Sequence, residues 1–227
     1  MRMIDHCFMN TTNFQTTQVS KERPRTPGAA LEALMAGNQR FITGTRSIEP
    51  MISHLKMAEL AANGQKPFAV VLTCSDSRSP AEMIFDQGVG DLFVVRVAGN
   101  VIAPSLLASI EFAVANFGSP LIVVLGHTLC GAVKATIQHA HSPQDPLPSS
   151  HLEELVGRIR PAIEATEGKP DPQSDDFLKR ATTKNIQRSI RLIEEQSSIV
   201  RNLRQAGKLE IVGATLEIET GKVHFMT

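Results

Sequence analysis

Between residues 68 and 125 the chain repeats one pattern: a short apolar run, a break of Pro, Gly and polar residues, then another run. The runs at 68–73, 91–97 and 121–125 are rich in Val, Leu and Ile and are too short to be typical helices. Strands covered by helices on both faces of a parallel sheet have this look, because neither face is left to water. Between the second and third runs, 104–117 places Leu106, Ile110, Ala113, Val114 and Phe117 at helical spacing, which supplies the crossover that parallel strands need. The expected fold class is therefore α/β, with a central, mostly parallel β-sheet flanked by helices.

The flanking segments fill in the plan. Leu31, Leu34, Met35, Phe41 and Ile42 fall near helical spacing, and 51–63 reads as a second helix closed by Gly64, so an N-terminal helical arm precedes the sheet. Ser174 can cap a long helix whose Ile186, Ile190, Ile193, Val200 and Leu203 form one stripe, stopped by Gly207. Segments 209–218 and 223–226 flank Glu219-Thr220-Gly221-Lys222, which suits an antiparallel C-terminal edge hairpin. Segments 142–150 and 168–174 are Pro-rich loops. Residues 1–28 carry Thr, Asn and Gln with little apolar periodicity and are expected to be a flexible arm, leaving 29–227 as a single α/β domain.

Composition narrows the partners. The chain has 23 basic and 23 acidic residues, so no net field draws it to nucleic acid or to an anionic membrane. A small neutral molecule or another copy of the chain is the expected partner. No run approaches the roughly 18 apolar residues of a membrane span, and polar Asn10 to Thr12 stand where a signal peptide is apolar, which points to the cytoplasm. Of three cysteines, two sit in the motifs described next, which argues against a disulfide framework. Cys7 is left as an unpaired thiol on the arm.

Two motifs stand at the exits of apolar runs: Cys74-Ser75-Asp76-Ser77-Arg78 and His127-Thr128-Leu129-Cys130-Gly131. In open α/β sheets the binding crevice lies beyond the carboxyl ends of the strands, so loops leaving neighbouring strands converge there. A buried cysteine is more often a small hydrophobe than a ligand, and each motif alone is weak. As a pair at corresponding positions they assemble Cys74, His127 and Cys130, a ligand set that suits zinc and leaves a fourth tetrahedral position open. Asp76 is placed to accept a hydrogen bond and a proton from water there. Arg78 can hold that carboxylate away from the metal with a bidentate fork. His54, His139, His141 and His151 read as solvated surface groups rather than proton shuttles.

These residues resemble the β-class carbonic anhydrases. The resemblance spans 31–226 and includes Gly37-Asn38-Gln39-Arg40-Phe41, both motifs above, the block from Gly90 to Asn100, and a Thr-Gly hairpin near the end. It implies Zn2+ on Cys74, His127 and Cys130, an orienting dyad of Asp76 and Arg78, and a zinc-bound hydroxide that converts carbon dioxide to bicarbonate and a proton. It also implies substrate contacts from Gln65 and Phe93. Phe112 stands where plant-like members carry a pocket tyrosine, so the ring is kept and the hydroxyl lost. The chain has no Trp and no Tyr, so the bicarbonate site that another subgroup builds around an arginine cannot form, and the open-site subgroup is expected. A homodimer or homotetramer is implied. Hydrolysis of carbon disulfide or carbonyl sulfide on the same scaffold, and an idle zinc or bicarbonate sensor, are the alternative functions.

Overall fold

The computed structural model describes residues 23–45 and 54–226. Most of the expected 1–28 arm, Cys7 with it, and residues 51–53 of the expected second helix lie outside the described residues. Helix α1 (Pro27–Thr43) begins within the stretch read as arm. Thr26 accepts a hydrogen bond from the Ala29 amide, and Pro27 takes the first helical position, where its missing N–H costs nothing. Helix α2 (His54–Asn63) ends at Gly64 as its sequence predicts.

Strands β1 (Ala69–Thr73), β2 (Leu92–Arg96), β3 (Leu121–His127), β4 (Glu210–Leu216) and β5 (Val223–Phe225) form one sheet in the order β2-β1-β3-β4-β5. Every pairing is parallel except β4 with β5, the edge hairpin. The helices between and after the strands are α3 (Ala81–Ile84), α4 (Pro104–Phe117), α5 (Gly131–His141), α6 (Ser150–Glu164), α7 (Asp175–Gln196) and α8 (Ser198–Gln205).

Every residue of β1 and β3 is buried. Alternate side chains enter opposite cores: Ala69 and Val71 meet Leu34 of α1 and Ile84 of α3, while Val70 and Leu72 meet Ile110 of α4 and Ile186 of α7. Each buried Val, Leu or Ile contributes about 1.5–3 kcal/mol, which is why these short runs hold the centre of the sheet. A third cluster, with Val101, Ile137, Ile159 and Phe177, closes the carboxyl end of the sheet and includes Cys74 and Cys130.

Close approach explains two glycines. A Cβ on Gly126 would lie 2.6 Å from Ile186 Cδ1, so glycine lets α7 press on the sheet immediately before His127. A Cβ on Gly37 would lie 1.8 Å from the Phe85 carbonyl oxygen. Beside it, Asn38 donates to the Ile84 and Gly221 carbonyls and accepts from the Val223 amide, stapling α1 to the β4–β5 turn.

Three local expectations change. The long helix after Ser174 is two helices, α7 and α8, broken at the fully buried Ser197. Its hydroxyl caps α8 by accepting from the Val200 amide and donates to Glu111, which favours the turn over continuation. Helix α6 occupies 150–164, where the sequence pattern points to no element, with Ser149 as its cap and Pro161 in its last turns. Strand β3 continues past 125 because Gly126 and His127 still pair with Thr215 and Leu216 of β4. Among the described residues no helix is long and apolar enough to cross a membrane.

Candidate metal centre

Parallel register builds the site. Thr73 at the end of β1 pairs with Leu125 of β3, so the next residue, Cys74, emerges beside the last two residues of β3, of which His127 is the final one. The chain then turns through Leu129, whose φ of 57° is left-handed, and places Cys130 at the N-cap of α5. That backbone costs about 1–2 kcal/mol for a residue other than glycine. The candidate ligand atoms of Cys74, His127 and Cys130 lie within 4.8 Å of one another, and all three residues are buried.

The histidine is presented as a ligand would be. His127 Nδ1 lies 2.8 Å from the Thr128 carbonyl oxygen and donates to it, leaving Nε2 with its lone pair. Nε2 is buried and, among the described residues, meets no partner in hydrogen-bond geometry. An orphaned buried nitrogen costs about 1–3 kcal/mol, a cost that a metal ion at that position removes. Two sulfurs and one imidazole, with no fourth side chain in the cluster among the described residues, fit zinc with one open position.

Protonation inside the cluster is uneven. The neighbouring Cys130 sulfur, against burial, lowers the Cys74 pKa to about 4, with His127 and then the Gly99 amide (3.3 Å from the sulfur) adding to the effect. Cys130 is pushed up, first by Cys74 and then by burial.

Asp76 borders the cluster without joining it. Arg78 Nε donates to Oδ1 at 3.0 Å, Arg78 Nη2 to Oδ2 at 2.8 Å, and the Arg78 amide to Oδ1 at 2.9 Å. These bonds hold the Asp76 carboxyl well below the usual carboxylate range. Asp76 Oδ2 lies 3.9 Å from His127 Nε2, close enough to meet a small molecule at the open position.

Several supporting residues were not singled out from the sequence. Arg96 donates to the Cys74 carbonyl at 3.2 Å and to the Asp76 carbonyl at 2.7 Å. Thr128 ties the His127 loop to the exit of β4, its amide donating to the Leu216 carbonyl and its hydroxyl accepting from the Ile218 amide. The signal for Arg96 and Gly99 was their place in the 90–100 block.

Gln65, Phe93 and Phe112 are not brought to the cluster of their own chain. Gln65 is exposed and precedes the amino end of β1, whereas Cys74 follows its carboxyl end. Phe93 pairs with Val70, four residues and about 13 Å of strand before Cys74. Its ring lies 6.3 Å from that of Phe112 and 6.0 Å from that of Phe117, forming an aromatic group beside the open edge of β2.

Fold and donor set together define an α/β protein able to hold a metal ion at the carboxyl ends of its parallel strands. Residues 69–223 match the family model described as carbonic anhydrase. Carbonic anhydrase 2 of Mycobacterium tuberculosis is 42% identical, over 86% of this chain and 91% of its own length. A carbonic anhydrase of Mycolicibacterium smegmatis is 39% identical, over 87% of this chain and 92% of its own. Among solved structures, the β-carbonic anhydrase CcaA aligns with a TM-score of 0.67 at 28% identity, covering 87% of this chain and 88% of that one. CafA of Aspergillus fumigatus, also a β-carbonic anhydrase, gives 0.67 at 26%, covering 86% and 90%. The chain belongs to the carbonic anhydrase family, in its β class, and is an enzyme of that family.

Proposed function

We propose that the chain interconverts carbon dioxide and bicarbonate with zinc held by Cys74, His127 and Cys130. The observation that carries this reading is the Asp76 carboxylate, fixed by the Arg78 fork next to three buried donors and outside them. A purely structural metal site has no use for such a group. Zinc, when bound, supplies the Lewis acidity that makes water a nucleophile near neutral pH.

The chain's own residues do the rest. Asp76 Oδ2 accepts a hydrogen bond from the reacting water and aims its lone pair at the substrate carbon. Because Arg78 keeps that carboxylate ionised, Asp76 orients the water and does not retain the proton, which leaves to bulk buffer. With both carboxylate oxygens engaged by Arg78, Asp76 stays off the metal and the site is of the open kind.

A second copy of the chain completes the pocket. Gln65, Phe93 and Phe112 lie away from their own cluster, and the Phe93 and Phe112 rings stand beside the free edge of β2, where another subunit can receive them. The enzyme on this reading is a cytoplasmic homo-oligomer, a homodimer or homotetramer.

The test is stopped-flow carbon dioxide hydration on protein of known zinc content, across roughly pH 6.5 to 9. A zinc-dependent rate that rises with pH is expected, and Asp76→Asn should retain zinc while losing about 10²-fold or more in rate. Absence of hydration with one zinc per chain would reject the reading; full activity in Asp76→Asn would remove Asp76 from the mechanism.

A further inference from the structure

A cavity of about 100 Å3 lies between α6, α7 and the segment that follows the 98–100 turn, apart from the metal ligands. Arg158, Asn185, Arg188, Ser189 and Gln196 line it together with apolar side chains, and no carboxylate among the described residues does. We propose that it binds one small oxyanion of the size of bicarbonate or phosphate. At about 30 Å3 per water the space holds roughly three waters, or one such ion.

Charge and unmet donors carry the inference. Arg158 donates to the Ile102 carbonyl at 2.8 Å and pairs with Glu154, one turn away on α6. Arg188 donates only through Nε, to the Arg158 carbonyl at 3.4 Å, and its two terminal nitrogens have no acceptor among the described residues. Two guanidinium groups therefore meet one carboxylate, and a half-buried fork without an acceptor is a seat for an oxyanion.

The buried amides agree. Asn185 is 1% exposed and spends one Nδ2 hydrogen on the Gly99 carbonyl at 2.7 Å, leaving the other. Ser189, 2% exposed, donates to the Asn100 carbonyl at 2.9 Å. Water would satisfy amides; it would leave the excess positive charge uncompensated. The site does not depend on the metal reading, although Asn185 and Gly99 place it two hydrogen bonds from the Cys74 sulfur.

Isothermal titration of inorganic phosphate, and separately of bicarbonate, into the zinc-loaded full chain and its Arg188→Gln variant tests the proposal. Either anion can also meet the metal, so the quantity read is the difference between the two proteins. The expected result is a saturable site that weakens at least about tenfold in the variant, with zinc content and anion-free melting temperature unchanged. The anion with the larger loss is the ligand: phosphate, or the reaction's own product. Arg188→Lys, which keeps the charge and loses the fork, gives the same reading if the glutamine variant loses its zinc. Coincident isotherms for both anions in wild type and variant overturn the proposal.

Discussion

Arg96 ends β2 in register with Thr73, so its guanidinium reaches past the end of β1 to the turn that follows. There it holds the carbonyls of Cys74 and Asp76, while Arg78 holds the Asp76 carboxylate. Asp76 is thus fixed at both ends, backbone and side chain, by two arginines of different strands and loops. Ser79 adds a smaller share, its hydroxyl donating to the Asp76 carbonyl at 2.9 Å. Arg96 is a positioning residue for the metal turn, and supports of this kind are worth about 10- to 100-fold in metal affinity or activity. Arg96→Gln should lose that much in zinc affinity, measured by competition with a chelating dye, and in hydration rate, with the fold retained by circular dichroism. Unchanged affinity and rate would assign the turn to Ser79 and Arg78 alone. The dyad of Asp76 and Arg78 was legible in the sequence because its two members are neighbours in the chain. Arg96 was not, since its targets are carbonyls 22 and 20 residues away that only the β1–β2 register brings into reach.

Helices and strands differ in how plainly they announce themselves. β1, β3 and α4 were readable because each buries an unbroken apolar run or stripe, and it is chiefly this burial that stabilises such elements. The break between α7 and α8 was hidden because the apolar stripe continues through it: Ile193 and Val200 lie in the same core on either side of Ser197. Only the buried serine, which caps the second helix and donates to Glu111, decides for a turn. Helix α6 was hidden for the opposite reason: most of its first turns are exposed, and Pro161 interrupts the backbone pattern that its buried Val156, Ile159 and Ile163 complete. At this scale Ser197→Ala should destabilise the fold by about 1–2 kcal/mol, the sum of a lost cap and an unpaired Glu111. Urea unfolding followed by circular dichroism reads that loss. A variant as stable as the wild type would mean that packing on both sides sets the break without the hydroxyl.

For the molecule as a whole, three surfaces ask for a partner together. β2 forms one edge of the sheet and pairs only with β1 among the described residues. Phe112 is 52% exposed next to that edge, in edge-to-face contact with Phe117. Helix α2 has no buried residue, and its Leu55 and Met57 stand in solvent at 71% and 60% exposure. An uncovered sheet edge and exposed apolar side chains on a helix are liabilities in a lone chain and assets in a homo-oligomer. Phe112→Glu places a charge beside the β2 edge, about 12 Å of helix from the start of α4 and well removed from the ligands of its own chain. Analytical ultracentrifugation should find this variant shifted to smaller species than the wild type. Its zinc content should stay at one per chain, because the three donors all belong to one chain. Its hydration rate should fall about tenfold or more, in step with dissociation, because Gln65 and Phe93 would then have no second cluster to serve. A wild-type chain that is monomeric and fully active would instead show that one subunit builds the whole site, and would leave Gln65, Phe93 and Phe112 without a role in it.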